Sequence, residues 1–191
     1  MFEIHITVSN MTDWYVFEET CYKLNIKPHM FYLYCPYGDT VFVETDILSA
    51  EIIHGTLQDA KNRMYQCEEI FKKHEIEVKR LKIETTSKTD EGVYYELHTT
   101  LKCNKSIKDN ITYLLSNFDK HSYLSHNHDI NDELIITNRI PFNEGHNNIA
   151  EKKFKEFTDI GYTVIKQRLE VAVFDNNLNH DNAWLGKYSP K

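Results

Sequence analysis

Two short stretches of the chain carry residue types suited to moving protons on and off a phosphate. Residues 2–8 read F-E-I-H-I-T-V and residues 95–101 read Y-E-L-H-T-T-L, so both follow the order aromatic, Glu, aliphatic, His, any residue, Thr, aliphatic. Side chains alternate between the two faces of a β-strand. Glu3, His5 and Thr7 therefore share one face of the first stretch, and Glu96, His98 and Thr100 share one face of the second. Histidine titrates near neutrality and can serve as base or acid. A threonine hydroxyl can donate to a phosphoryl oxygen. Two later stretches also match at a constant offset: Arg80, Lys82 and Glu84 against Lys166, Arg168 and Glu170, with Leu81 and Ile83 against Gln167 and Leu169. These patterns make His5 and His98 the expected catalytic acid–base pair. Thr7, Thr100, Arg80, Lys82, Lys166 and Arg168 are the expected phosphate binders. Neither a metal nor a cofactor is expected. Glu3 and Glu96 either orient the basic residues or repel a phosphate.

The same residues also suit an open sheet face in water. Cross-strand Glu–Lys and Glu–Arg pairs stabilise such a face by about 0.2–1 kcal/mol each, and a duplicated segment copies its structural residues along with any others. On that reading the chain is a non-catalytic module with a charged cleft for an anionic ligand or another protein.

Apolar spacing places the elements that must position these residues. A helix is expected over 12–24, a strand over 30–35, a loop, a strand near Ile52 and Ile53, a helix over 57–74 and a strand over 76–85. The order then recurs: strand 95–103, helix 107–118 with Ser106 as N-cap, strands 121–126 and 133–140, a helix over about 148–159 ended by Gly161, and strand 163–174. Each half reads β-α-β-β-α-β. The expected fold is α+β: two tandem ferredoxin-like lobes from an internal repeat, with pseudo-twofold symmetry, spanning 1–86 and 93–191. The polar stretch Glu84–Gly92 divides them, and the His-bearing faces turn inward.

Composition narrows the classes. The 191 residues, 41% hydrophobic and 13% aromatic, suffice for a folded core. A formal net charge of −7 argues against a broad nucleic-acid surface. No apolar run approaches the roughly 20 residues that span a bilayer, and M-F-E-I-H lacks the basic and apolar regions of a secretory leader, so none is expected. Cys21, Cys35, Cys67 and Cys103 are scattered without a C-x-x-C pair, which suits a reducing cytoplasm. P-loop, G-x-G-x-x-G and G-x-S-x-G motifs are missing from the sequence. His121, His126, His128 and Asp129 cluster, but at no standard zinc spacing.

The tandem H-x-T motifs, His5-Ile6-Thr7 and His98-Thr99-Thr100, resemble those of the 2H phosphoesterase superfamily. The resemblance implies a metal-independent phosphoesterase that acts on a 2′,3′-cyclic phosphate or 2′–5′ phosphodiester of a small nucleotide or RNA end. The superfamily places its first H-x-T after an opening strand and helix, and this chain places it on the first strand. The E-x-H-x-T opening also resembles the E-x-E-x-K opening of triphosphate-tunnel (CYTH) proteins, which implies a metal-dependent phosphohydrolase with a cavity lined by alternating Lys, Arg and Glu. A third resemblance, to a set sharing F-E-x-H-x-T near the start and F-D-x-N-x-x-x-D-x-x-W-L near the end, rests on Phe174, Asp175, Asn177, Asp181, Trp184 and Leu185. It implies no activity.

Overall fold

The computed structural model describes residues 1–37, 40–103, 110, 111, 114, 122–128, 130, 132–142 and 146–177. Along the chain come β1 (Phe2–Val8), α1 (Trp14–Leu24), β2 (Lys27–Tyr37), β3 (Thr40–Ile53), α2 (Leu57–Lys73), β4 (Val78–Thr85), β5 (Tyr94–Lys102), β6 (Ser122–Asn127), β7 (Glu133–Pro141), α3 (Ile149–Asp159) and β8 (Thr163–Asp175). The expected helix over 107–118 and the tail with Asp181, Trp184 and Leu185 lie largely or wholly outside the described residues; so do His121 and Asp129 of the histidine cluster.

The eight strands form one closed antiparallel barrel in the order β1-β3-β2-β6-β7-β5-β8-β4, with β4 returning to β1. This overturns the expectation of two tandem ferredoxin-like lobes built by an internal repeat. β2 pairs with β6 and β4 pairs with β8, so strands from both halves of the chain share a single sheet. The physical reason is that residue alternation along a strand reports its faces and not its edges. A strand edge left open exposes a row of unpaired N–H and C=O groups, and closing the barrel removes every such edge. β3 also differs from expectation: it runs 14 residues where a loop was expected before a short strand. Its inward set mixes Asp46 with Leu48 and Ala50, which blurs the alternation.

The apolar faces point outward, beneath the helices. Ile4, Ile6, Val8, Leu81 and Ile83 pack with Phe17 and Cys21 of α1 and with Met64, Cys67 and Phe71 of α2. A second cluster joins Leu101, Leu124, Leu134 and Ile136 to Phe157 of α3 and to Ile111 and Leu114. Burial pushes the Cys21 thiol up to about 12 and the Cys67 thiol to about 11, as expected of inert core cysteines. Local caps fix the helix ends. Asp13 accepts from the amides of Tyr15 and Val16 at the start of α1, and Thr56 and Asp59 form a capping box on α2. Gly161 ends α3 with φ 91°, a conformation open to glycine at little cost.

At one end of the interior, Arg80 ties three strands together. Its Nε and Nη2 grip Asp175 of β8 (3.1 and 2.6 Å), and Nη2 also donates to the Tyr94 hydroxyl of β5 at 2.7 Å. Tyr94 in turn donates to Asp175 Oδ2 at 2.7 Å. Burial alone would raise the Asp175 carboxyl, but the Arg80 and Tyr94 contacts bring it below its ordinary value. Removing one partner of a buried pair leaves an uncompensated charge, at a cost of about 3–5 kcal/mol. Asp175→Ala should therefore lower stability in urea unfolding by about 3 kcal/mol or more. A loss below about 1 kcal/mol, the level of an exposed ion pair, would show that this latch does not hold the barrel closed.

Candidate active site

Four adjacent strands, β5, β8, β4 and β1, turn their charged faces into the barrel. Register sets His5 opposite Lys82, Glu3 opposite Glu84, His98 opposite Arg168 and Glu96 opposite Glu170. The side chains then close a circuit in which acids and bases alternate. His5 Nε2 lies 3.0 Å from Glu84 Oε2. Lys82 Nζ bridges Glu84 Oε1 and Glu96 Oε2, each at 2.9 Å. His98 Nε2 faces Glu96 Oε2 at 3.4 Å and Glu170 Oε2 at 3.5 Å. Arg168 joins Glu170 (2.8 Å) to Glu3 by a short contact, and Glu3 returns to His5 at 3.9 Å. Outside the circuit, Arg139 of β7 grips the second oxygen of Glu96.

Burial makes this arrangement consequential. Glu84, Glu96 and Glu170 are almost wholly buried, and so is Lys82. Burial opposes the charge on Lys82, yet Glu84 and Glu96 outweigh it and raise its pKa. Burial likewise opposes the charge of Glu96, and Arg139 and Lys82 overcome it to hold the carboxyl well below the usual range. Glu170 goes the other way, raised by burial and by repulsion from Glu84. For His98 burial disfavours the imidazolium, but the hydrogen bond to Glu96 and the surrounding carboxylates prevail, so its pKa is raised. Its other nitrogen, Nδ1, sits 2.8 Å from Thr137 Oγ1. Glu84 Oε1 and Glu170 Oε1 are buried and accept no hydrogen bond with good geometry; Lys82 and Arg168 meet them only as ion contacts.

The circuit forms one side of a cavity of about 280 Å³. Of the expected site residues, His5, His98, Thr100, Lys82, Lys166 and Arg168 line it. Arg80 is instead engaged in the latch with Asp175 and Tyr94. Thr7, opposite Arg80 in register, is buried and does not line the cavity. His126 lies on another side of the wall, its Nδ1 2.6 Å from the hydroxyl of Tyr34, a phenol that burial pushes up to about 12. Glu84 and Glu170 were not among the expected site residues, although their alternation with Lys82 and Arg168 carried the signal. Arg139, whose place near a strand end makes it a candidate from the sequence, and Thr137, which the sequence does not mark, face the site from β7.

Comparison with known proteins adds little. No family model matches the chain, and no curated protein matches it. Among solved structures, a "putative monooxygenase" from Fusobacterium nucleatum aligns over 91% of this chain and 93% of its own, with 8% identity and a TM-score of 0.33. Likeness at that level passes no property from one protein to the other. No helix among the described residues is long and apolar enough to cross a membrane.

The raised His98 pKa has a measurable sign. A native value above the unfolded one means that its stabilisation is complete below the unfolded value and is lost as pH rises through the native value. His98 should titrate above the ordinary histidine value of about 6.5 in an NMR pH series. Urea unfolding should show stability declining on the alkaline side of that pH, and His98→Gln should flatten the decline. A midpoint at or below the ordinary value would contradict the assigned contacts.

Proposed function

We propose that the barrel interior hydrolyses a phosphoester or phosphoanhydride bond of a small molecule, such as a small nucleotide or an RNA end. Glu84, His98 and Glu170 would hold a divalent cation there. The supporting observation is that one ligand atom from each of these three residues lies within 4.8 Å of the others. Ligands around a tetrahedral cation lie about 3.4 Å apart, so the three side chains would draw together by up to about 1.4 Å to share one. Two carboxylates and an imidazole suit zinc, manganese or iron.

Charge balance favours the cation. The four carboxylates of the circuit face Lys82, Arg168 and, through Glu96, Arg139. With His98 protonated, the four carboxylates meet four cations, Lys82, Arg168, Arg139 and His98, so the circuit itself offers an incoming phosphate no surplus positive charge. A divalent cation in place of the His98 proton would supply that surplus and polarise a phosphoryl oxygen. The remaining roles fall to the chain itself. His5, oriented by Glu84, is placed to take a proton from a water or hydroxyl nucleophile. Arg168 and Lys166 line the same cavity and can hold phosphoryl oxygens, as can the Thr100 hydroxyl.

A second reading, metal-independent catalysis by the two histidines, draws support from another observation. Both imidazoles line one cavity and each has a fixed partner, Glu84 for His5 and Thr137 for His98. A chelator separates the two. Turnover of 2′,3′-cyclic phosphates, 2′–5′-linked oligonucleotides and nucleoside triphosphates should be lost in EDTA, return with manganese or zinc, and fall about 100-fold or more in His5→Ala. Turnover that survives EDTA but not His98→Ala would establish the histidine pair instead. Turnover that survives both His5→Ala and His98→Ala would overturn either mechanism.

A further inference from the structure

The half of the interior opposite the charged circuit is mixed: an apolar stretch lies among His29, Asp46, Tyr123, Ser125 and Thr137. Strands β3, β2, β6 and β7 follow one another in the barrel, and they turn Phe31, Leu33, Leu48 and Ile135 into the same cavity. Phe31 and Leu48 are only half buried, so they present hydrocarbon to the space that the circuit faces from the other side. His29 stacks on Phe31, with centroids 5.8 Å apart and planes inclined by 28°, and this fixes the phenyl ring. A cavity with a charged wall and an apolar stretch facing it is matched by a ligand with the same polarity. Covering apolar surface contributes about 25 cal/mol per Å², which a bare phosphate chain cannot gain.

We infer that the substrate is an organic phosphate whose body is one planar apolar ring system, seated on Phe31, Leu48 and Ile135 with its phosphate toward Arg168 and Lys166. The cavity volume of about 280 Å³ sits at the small end of ligand pockets, which begin near 300 Å³. It takes one such ring system and excludes the bulk of a polymer. The inference deepens the phosphoester reading and rests on it, since it assigns the phosphate to the charged wall. Inorganic polyphosphate is thereby excluded as the preferred substrate.

Binding of two phosphonates that cannot be hydrolysed tests the inference without turnover. Titration calorimetry of the full chain, with manganese present, compares phenylphosphonate with methylphosphonate. Phenylphosphonate should bind roughly 10–100-fold more tightly, because only it covers the apolar stretch. Phe31→Ala should abolish that difference and leave methylphosphonate binding unchanged, and Phe31→Leu should retain part of it. Methylphosphonate binding serves as the check that each variant is folded. Equal binding of the two by the wild-type protein overturns the inference and leaves the phosphoester reading standing. Failure of both to bind overturns that reading and the inference with it.

Discussion

The interaction on which the rest of the structure depends is the closed circuit of His5, Glu84, Lys82, Glu96, His98, Glu170, Arg168 and Glu3. Three of its carboxylates and its lysine lie almost wholly out of water. An isolated carboxylate in that setting would lose its charge. Alternation of acidic and basic side chains gives every member a partner of the opposite type on each side. It also dictates register. A one-residue slip between β1 and β4, or between β5 and β8, would turn the charged faces out under the helices and the apolar faces in. The antiparallel pairings of these four strands and the packing of α1 and α2 on the outer face are therefore one decision made twice.

Such a circuit is costly as a device for stability. Buried ion pairs are often no better than apolar residues of the same volume, because desolvation offsets the attraction. The outer clusters beneath the helices already supply the apolar burial that folding needs. The Arg80–Asp175–Tyr94 latch holds β4, β8 and β5 together without the circuit. What the circuit adds is a set of fixed donors, acceptors and proton carriers around a cavity, which is how preorganised electrostatics serve catalysis. The opposite wall carries fewer charges and more hydrocarbon, from Phe31, Leu33, Leu48 and Ile135.

The faces of the strands were legible in the sequence. Glu3 and His5, Lys82 and Glu84, and Lys166 and Arg168 each show period-two alternation, and each turns inward. The three described helices sit where apolar spacing places them, within one or two residues at each end. The closure of the barrel was not legible, because no residue pattern reports that the edge of β2 meets β6 or that β4 meets β8. Long-range register likewise decided the site. Thr7 and Arg80 share the parity of the other site residues, yet they fall at the latch end of the interior. Arg139 and Phe31 belong to the site only because β7 and β2 lie across from residues far away in sequence.

The most direct test of the central claim, that the circuit is a divalent-cation site, is equilibrium binding to metal-free protein. Calorimetric titration with manganese, and separately with zinc, should show one site per chain, and Glu170→Gln should weaken it by about tenfold or more. Binding of neither metal by the wild-type protein, or binding unchanged in Glu170→Gln, would contradict the account.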